Sequence, residues 1–381
     1  MKVVFISNYL SHHQRPMSDA LAALCQYTFI ATSQMPEERL AMGWSDDNLP
    51  EYVCCYDREP QRAEACLKEA DVVIAGSAPE KLVQSCIRRN QLVLRYAERP
   101  LKHGLEPLKF LPRFVKWHLQ NPAHRPIYML CASAYTAGDY ARFGLFRGKT
   151  LKWGYFPEVR QYEDFASLLE RKKKHSILWA GRFLDWKHPD DAVRLAARLR
   201  GAGIDFEMTI IGSGEMESML GEMIIREQLQ DRVHMPGAMK PDAVRAVMEQ
   251  TEVFLFTSDR REGWGAVLNE AMNSGCAVVA SDAIGAVPYL LRDGENGCIY
   301  RSGDINDLCD KVRCLLADQE KCFRLGEAAY RTMAGCWNAD SAARRLIGLA
   351  ENLMKGKNPA GLYEDGPCTP AEPIKEGWFR T

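Results

Sequence analysis

Two glutamates and a glycine turn stand between two apolar segments in the second half of the chain. Glu262 precedes Gly263-Trp264-Gly265, and Glu270 follows on a predicted helix, eight residues after Glu262. Apolar strands are predicted on either side, at Val253–Phe256 and Ala277–Ala280. A strand, a glycine turn and a helix place backbone N–H groups and a helix N-terminus in front of an anion. Because the carboxylates can accept hydrogen bonds from hydroxyl groups, the segment predicts a site for a phosphorylated sugar.

A pair of cationic residues follows the predicted strand Ile177–Ala180. Gly181 and Arg182 come directly after the strand, and Lys187 follows five residues after Arg182. A guanidinium can bind two phosphate oxygens at once, and an ammonium adds a compact positive charge. A helix predicted to begin near Pro189 adds the positive end of its dipole. Alone, the two cations could be solvated surface charges, but beside the Glu262 region they predict a diphosphate site.

Two shorter signals are less specific. Gly212 and Gly214 follow the predicted strand Met208–Ile211, where glycine lets a backbone approach a ligand closely, although such turns also need glycine for geometry alone. Val233 and His234 precede a Pro-Gly pair. They could lie against a nucleobase, or they could serve only the structure of the loop.

Composition favours a soluble cytoplasmic protein. The 381 residues carry 49 basic and 50 acidic side chains, so no net field attracts nucleic acid, and no nucleic-acid partner is expected. The first residues, MKVVFISNYL, hold too short an apolar run for a signal peptide, and no stretch approaches the roughly 20 apolar residues of a transmembrane helix. The thirteen cysteines lack the C-x-x-C spacing of a zinc site, which favours reduced, mostly buried thiols.

Strands that alternate with helices indicate two α/β domains, each a doubly wound parallel sheet with helices on both faces. The predicted strands of the first half are Val3–Ser7, Tyr27–Ala31, Tyr52–Cys55, Asp71–Ala75, Leu92–Arg95 and Ile127–Cys131. Those of the second half are Ile177–Ala180, Met208–Ile211, Val233–Met235, Val253–Phe256 and Ala277–Ala280.

We place a linker over Gly154–Lys174 and domains over 1–160 and 161–338, with the segment 339–381 joining the first domain. Ligands of such sheets bind beyond the carboxyl ends of the strands, which predicts a site in a cleft between the domains. Within the last segment a helix is predicted over Ala339–Met354, whereas 356–381 is rich in proline and is expected either to follow the surface or to be partly disordered.

These motifs resemble those of the retaining glycosyltransferases of family 4, which have the two-Rossmann-domain fold called GT-B. The resemblance rests on Gly181–Lys187, Gly212–Gly214, Pro236-Gly237 and Glu262–Glu270, where the two glutamates are separated by seven residues as in that family. It is strong over about Ile177–Asp304 and looser over the first half.

The resemblance implies a role for each residue. Glu262 would contact the donor sugar, Glu270 the nucleotide ribose, and Arg182 and Lys187 the diphosphate of a UDP- or GDP-type donor. Transfer would retain the anomeric configuration by a front-face route, in which the leaving phosphate helps to accept the proton of the acceptor. No enzymic nucleophile is needed, and because no Asp-x-Asp motif stands out, no metal or other cofactor is expected.

Three segments depart from the family pattern. In place of a glycine-rich loop after the first strand stands Asn8–Gln14, where His12 and His13 could face the acceptor or the sugar, or could have capping or surface roles. Many members carry a His near the reacting carbon, but this chain has Arg95-Tyr96-Ala97-Glu98-Arg99, so that role has either moved to Glu98 or been lost. Tyr289 stands where Glu is common.

Pro107–Leu119 mixes cations with aromatic residues at near-helical spacing. Two interpretations stay open: contact with an anionic membrane surface, or a core-facing helix with a solvated basic side. Pro112 is expected to interrupt a helix there.

The sequence therefore predicts a retaining glycosyltransferase of the cytoplasm or the inner membrane face. It would transfer a sugar from a nucleotide-diphosphate donor to a hydroxyl group on a glycan or lipid-linked acceptor, in the assembly of surface polysaccharide, lipopolysaccharide or glycolipid. The alternatives are a nucleotide-sugar epimerase or a phosphorylase on the same fold, and a non-catalytic partner that binds nucleotide sugars.

Overall fold

The computed structural model describes residues 1–36, 49–375 and 377–380. The chain divides into two compact units: unit 1 is Met1–Glu158 with Trp337–Glu376, and unit 2 is Val159–Cys336 with Gly377–Thr381. Each unit holds one parallel β-sheet flanked by helices, which confirms the predicted fold class of two doubly wound α/β domains.

Unit 1 contains a seven-stranded sheet in the order β3-β2-β1-β4-β5-β6-β7. The strands are β1 Lys2–Ser7, β2 Gln26–Ala31, β3 Val53–Cys55, β4 Val72–Ala75, β5 Leu92–Ala97, β6 Ile127–Cys131 and β7 Thr150–Lys152. Six of them correspond to predicted strands. The seventh, β7, was missed because its three residues, Thr-Leu-Lys, are too few to show a pattern.

Unit 2 contains a six-stranded sheet in the order β10-β9-β8-β11-β12-β13. The strands are β8 Lys173–Ala180, β9 Glu207–Ile211, β10 Val233–Gly237, β11 Thr251–Phe256, β12 Ala277–Ser281 and β13 Cys298–Tyr300. The central strands β11 and β12 are buried along their whole length, as expected for a parallel sheet covered on both faces. The short strand β13 was not predicted.

The helices connect successive strands and cover both sheets. In chain order they are α1 Arg15–Leu24, α2 Pro60–Glu69, α3 Glu80–Arg88, α4 Pro107–Gln120, α5 Thr136–Ala141, α6 Phe165–Glu170, α7 Pro189–Gly201, α8 Glu217–Arg226, α9 Pro241–Gln250, α10 Val267–Asn273, α11 Val287–Leu290, α12 Ile305–Ala317, α13 Gln319–Gly335 and α14 Ala339–Met354. Among the described residues no helix is both long and apolar enough to cross a bilayer.

The C-terminal segment pairs with the edge of the unit 1 sheet. Lys152 of β7 donates its N–H to the carbonyl of Thr369 at 2.7 Å and accepts from the N–H of Cys368 at 2.8 Å. Leu151 and Pro370 form an antiparallel bridge. Cys368 and Thr369 are buried, so this part of the segment covers an edge strand that would otherwise expose unpaired backbone groups.

Helix α4 is continuous from Pro107 to Gln120, so the expected interruption at Pro112 is wrong. A proline inside a helix removes the hydrogen bond to the carbonyl four residues earlier, which here belongs to Leu108. Because Leu108 is 94% exposed, water can bind that carbonyl in place of the missing N–H.

The region Gly154–Lys174 is not a plain linker. It holds helix α6, capped by Asp164, whose carboxylate accepts a hydrogen bond from the N–H of Ser167 at 3.0 Å, and it includes the first residues of β8. Six residues are too few for a helical repeat to be visible in the sequence. All thirteen cysteines are free in the structure, and most of them are buried.

Strand order reverses at one point in each sheet, between β1 and β4 in unit 1 and between β8 and β11 in unit 2. Ligands of doubly wound sheets bind beyond the carboxyl ends of the strands at such a point. In unit 2 the two loops concerned follow Ala180 and Phe256, and they carry Lys187 and Glu262. The topology therefore brings together two residues that are far apart in sequence.

Candidate functional site

The loops after β8, β9 and β10 form one continuous backbone surface at the carboxyl edge of the unit 2 sheet. The N–H of Gly181 donates to the carbonyl of Ile211 at 3.0 Å, and the N–H of Gly212 donates to the carbonyl of Gly237 at 3.0 Å. These bonds continue the sheet pairing beyond the ends of the strands. The three loops are therefore held in fixed positions relative to one another.

Glycine is required at two positions of this surface. A Cβ atom on Gly212 would lie 1.9 Å from the carbonyl oxygen of Gly181, and one on Gly214 would lie 2.6 Å from that of Phe183. Both glycines have φ of 151°, a conformation that other residues rarely adopt. The close approach of two backbones is thus sufficient to explain both glycines.

Lys187 and Glu262 form an ion pair across the point where the strand order reverses. The Lys187 Nζ lies 2.5 Å from the Glu262 Oε2, and the side chains are only 14% and 11% exposed. The hydroxyl of Ser258 donates a second hydrogen bond to the same carboxylate oxygen at 3.0 Å. The Glu262 carboxylate is therefore oriented by two donors from two different loops.

The turn that carries Lys187 is anchored by residues that the sequence analysis did not single out. Thr257 places its hydroxyl 2.7 Å from the carbonyl oxygen of Lys187, and it accepts a hydrogen bond from the buried indole N–H of Trp179 at 2.8 Å. The N–H of Asp259 donates to the carbonyl of Trp186 at 2.9 Å. Thr257 could have been found from the sequence by its position directly after β11, because polar residues that follow a parallel strand lie at the carboxyl edge of the sheet.

Arg182 lies on the same loop as Lys187, but its surroundings differ. Its side chain is exposed, and no ion pair to it is found within the described part of the chain. The Lys187 chain passes beside Gly181, with Cδ 3.6 Å from where a glycine-to-alanine Cβ would lie. The loop thus presents one cation held by Glu262 and a second that can take an anionic ligand.

Glu270 lies on α10, and its side chain is partly buried. Burial raises its pKa, and the positive charges of Arg245 and Arg160 oppose this rise only in part. Among the described residues no hydrogen bond to its carboxylate is found, and no ion pair links it to Lys187 or Glu262. A desolvated carboxylate without donors can gain stability by accepting hydrogen bonds from ligand hydroxyls.

The glycine turn after Glu262 is shaped by the core below it. Trp264 is fully buried, and its indole N–H donates to the Asn269 Oδ1 at 2.9 Å. Any role of Trp264 toward a ligand therefore belongs to its backbone. Gly263 is also buried, and Gly265, with φ of 88°, would bring a Cβ to 2.3 Å from the Phe256 ring.

Tyr289, at the position where the resemblance led us to expect Glu, is part of the same core. It is buried, and its ring centroid lies 6.3 Å from that of Trp264. Its loop is nevertheless close to the site, because the N–H of Gly285 donates to the carbonyl of Glu262 at 3.2 Å.

Val233 and His234 are not brought to the carboxyl edge. Strand β10 runs on to Gly237, and the register pairs Val233 with Met208 and His234 with Thr209, near the start of β9. Val233 is buried in the core, and the exposed His234 ring lies 3.8 Å from Glu207. Gly237 reaches the edge in their place.

The three candidates in unit 1 gather around Tyr155. The Tyr155 hydroxyl donates to Glu98 at 2.7 Å, and its ring is stacked on that of His13 at 6.4 Å between centroids. The rings of His12 and His13 lie 3.8 Å apart. Glu98 also pairs with Lys102. Tyr155 follows β7, and it was not predicted as a site residue because that strand was missed.

No group of three or more His, Cys, Asp or Glu side chains that could hold a metal ion is found within 1–36, 49–375 and 377–380.

Comparison with known proteins gives the family context of unit 2. Residues 160–332 match the family model described as Glycosyl transferases group 1. The chain is 29% identical over 177 residues to an alpha-D-kanosaminyltransferase of Streptomyces kanamyceticus, covering 46% of this chain and 45% of that protein. It is 30% identical over 211 residues to a D-inositol 3-phosphate glycosyltransferase of Nocardia farcinica, covering 54% and 46%. The match thus spans less than half of the length of these relatives.

Solved structures share the fold over nearly the whole chain. HepE of Anabaena, solved with UDP, superposes with a TM-score of 0.69 over 93% of this chain and all of that one, at 17% identity. Sucrose-phosphate synthase of Thermosynechococcus elongatus gives 0.67 over 93% of this chain and 99% of that one, at 15% identity. The fold is therefore that of the GT-B glycosyltransferases, and the sequence similarity is to enzymes that transfer sugars.

Proposed function

We propose that the chain is a retaining glycosyltransferase that uses a UDP- or GDP-type sugar donor. The observation that carries this proposal is the ion pair of Lys187 and Glu262, which lies beside the exposed Arg182 at the point where the unit 2 strand order reverses. A family-model match over 160–332 supports the assignment of this unit to the donor.

Charge separation explains why these groups serve glycosyl transfer. When the bond between a sugar and a diphosphate breaks, positive charge develops on the ring and negative charge on the leaving phosphate. Fixed donors that face the developing negative charge lower the barrier without reorganising. In the proposed site Arg182 and Lys187 take the phosphate charge, and Glu262 accepts hydrogen bonds from the sugar hydroxyls. This arrangement is proposed to act without a metal ion.

Glu270 is assigned to the ribose of the donor. Its carboxylate is desolvated and its pKa is raised by burial, so hydroxyl donors from a ligand would replace the lost water. Gly212, Gly214 and Gly263–Gly265 would let the donor approach the backbone closely. The assignment of Val233 and His234 to the nucleobase rests only on their position before Pro236-Gly237 in the sequence, and both residues lie away from this edge.

Unit 1 is proposed to bind the acceptor, a hydroxyl group on a glycan or lipid-linked precursor of a surface polysaccharide, lipopolysaccharide or glycolipid. Glu98, held by Tyr155 and Lys102, and the stacked His12 and His13 are the side chains that would contact the acceptor or the transferred sugar. One relative, 30% identical over 168 residues, is a putative colanic acid biosynthesis glycosyltransferase of Salmonella typhimurium. An acceptor that belongs to a surface polysaccharide would agree with the name of that relative.

Turnover of nucleotide sugars tests the proposal. Full-length protein is incubated with a panel of UDP- and GDP-sugars, with and without glycan and glycolipid acceptors, and nucleoside diphosphate release is measured. Glu262→Gln should lower transfer by about 100-fold or more, because the neutral amide neither balances Lys187 nor accepts as strongly from the sugar. Glu222→Gln, on the exposed side of α8, is the matched control and should leave the rate unchanged.

The same assay separates the alternatives. An epimerase would convert the donor with no acceptor present, and a phosphorylase would require inorganic phosphate. A non-catalytic partner would bind a donor without turning it over. Near-normal transfer by Glu262→Gln would contradict the proposed site.

A further inference from the structure

Helix α4 carries an aliphatic face that nothing in the described chain covers. Leu108, Leu111, Val115 and Leu119 are 94%, 67%, 49% and 74% exposed. Their spacing of three, four and four residues places them in one stripe along the helix. Large aliphatic side chains grouped on a surface in this way mark a contact site, whereas single exposed ones are ordinary.

The opposite face of α4 attaches the helix to unit 1. The ring of Phe110 is stacked on that of Phe143 with centroids 4.8 Å apart. Trp117 contacts Phe143 at 4.7 Å and Tyr140 at 5.3 Å. Phe110 and Trp117 therefore fix the helix to unit 1, and the aliphatic stripe points away from the domain.

Positive charge borders the stripe. Lys109 and Lys116 lie two turns apart on one margin of the stripe. Lys116 lines the same shallow groove as Leu111, Val115 and Leu119. Between 101 and 125 the sequence holds five Lys and Arg against a single acid, a net charge of 5 − 1 = +4, whereas the whole chain carries −1. The single acid, Glu106, is paired with Lys109 and Arg113.

We propose that the aliphatic stripe of α4 docks on the surface of an anionic lipid bilayer. A helix with an aliphatic face and basic margins lies in the membrane interface, where its apolar side chains enter the acyl boundary and its cations meet anionic headgroups. A symmetric contact between two copies of the chain would place the same stripe against itself. It would then bring Lys109 and Lys116 of both copies together, so the charge favours the bilayer over a second copy.

This surface is separate from the candidate site in unit 2, and vesicle binding needs neither donor nor acceptor. Full-length protein is sedimented with vesicles of phosphatidylcholine alone and with vesicles containing about one third phosphatidylglycerol. We expect binding to the anionic vesicles and a several-fold loss when NaCl is raised from about 0.1 M to about 0.5 M.

Two pairs of variants separate the apolar and the charged contributions. Leu108→Ser with Leu119→Ser should lower the partition coefficient by about tenfold, and Lys109→Gln with Lys116→Gln should lower it by a similar factor. The matched controls are Leu24→Ser with Ile225→Ser, which alter exposed aliphatic residues elsewhere, and Lys68→Gln with Lys240→Gln. Both control pairs should bind like the unchanged protein. Because all the substituted side chains are exposed, the melting temperatures should stay unchanged.

Three results would overturn the proposal. One is equal binding to neutral and anionic vesicles, and another is wild-type binding by both α4 variants. The third is a dimer, detected by light scattering, that the Leu108→Ser and Leu119→Ser pair abolishes in a protein that does not bind vesicles.

Discussion

The carboxyl edges of the two sheets are built on different principles. In unit 2 the edge is a backbone structure, in which glycine loops are bonded to one another and a buried ion pair joins Lys187 to Glu262. In unit 1 the edge is a cluster of side chains, in which Tyr155 connects His13 and Glu98. The same doubly wound topology thus supports a rigid backbone surface in one unit and a side-chain surface in the other.

This difference suggests a division of tasks. A nucleotide diphosphate presents the same groups in every donor, so a backbone surface with fixed cations can serve it without change. Acceptors differ in shape, and a surface made of side chains can be altered one residue at a time. Substitutions at matched positions of the two edges test this difference.

The largest effect is expected from placing a methyl group on the backbone surface. Gly212→Ala would put a Cβ 1.9 Å from the carbonyl oxygen of Gly181, so the backbone must move, at a cost of about 3 kcal/mol or more. We expect a lower melting temperature and donor binding weakened by about 100-fold. In unit 1 the three nearest neighbours of a Cβ on Gly76 are all side-chain atoms, the Ser7 Oγ at 2.8 Å, the Phe5 ring at 3.2 Å and the Ser7 Cβ at 3.3 Å. Because side chains can shift more easily than backbone, Gly76→Ala should cost less than Gly212→Ala.

Gly201→Ala, at the end of α7 with open space around the added methyl group, is the control and should be neutral or slightly stabilising. Thermal unfolding and calorimetry of donor binding measure these effects. Equal tolerance of alanine at Gly212 and Gly76 would contradict the proposed difference between the edges.

An intermediate effect is expected at Glu270, where function opposes stability. Because burial raises its pKa in the folded state, the charged carboxylate costs folding free energy at neutral pH, and this cost disappears as pH falls below the pKa of the unfolded chain. Glu270→Gln should therefore raise the melting temperature at pH 7, with a gain that shrinks toward acidic pH. It should also weaken donor binding by about tenfold, since an amide accepts less strongly from ribose hydroxyls.

Melting curves from neutral to acidic pH, together with donor calorimetry at neutral pH, test this trade-off. Glu222→Gln again serves as the control, because its carboxylate is exposed. A Glu270→Gln protein that is less stable at every pH and binds donor normally would show that the carboxylate is structural.

The smallest effect is expected in unit 1. Tyr155→Phe removes the hydrogen bond of 2.7 Å to Glu98 and keeps the ring against His13. If the cluster positions Glu98 for the acceptor, the KM for the acceptor should rise about fivefold, equivalent to about 1 kcal/mol, while donor affinity stays unchanged. Tyr128→Phe, on strand β6, is the control. An equal loss of donor affinity would remove the distinction between the two edges.

The contrast also explains how much the sequence could predict. Close approach of backbones demands glycine, and charged residues directly after a strand stand out in the sequence, so Gly212, Arg182 and Glu262 leave a recognisable pattern. Most strands of both sheets were also predictable, because apolar runs alternate with helices, whereas the short strands β7 and β13 were missed.

Tyr155 left no such pattern. It follows β7, a strand of three residues whose place is fixed by pairing with β6 and with the C-terminal segment rather than by its own composition. Likewise the strand predicted at Val233–Met235 continues to Gly237, because β10 is an edge strand, where the missing N–H of Pro236 is tolerated. Long-range pairing, not local preference, decided both cases.

The most direct test of the diphosphate site is calorimetry with nucleotides that differ by one phosphate. UDP is compared with UMP, and GDP with GMP, for the unchanged protein, for Arg182→Ala and for the exposed control Arg324→Ala. We predict that one of the two diphosphates binds more tightly than its monophosphate, and that Arg182→Ala reduces this preference by about tenfold while Arg324→Ala preserves it. Equal binding of diphosphate and monophosphate, or a preference that Arg182→Ala leaves intact, would contradict the proposed site.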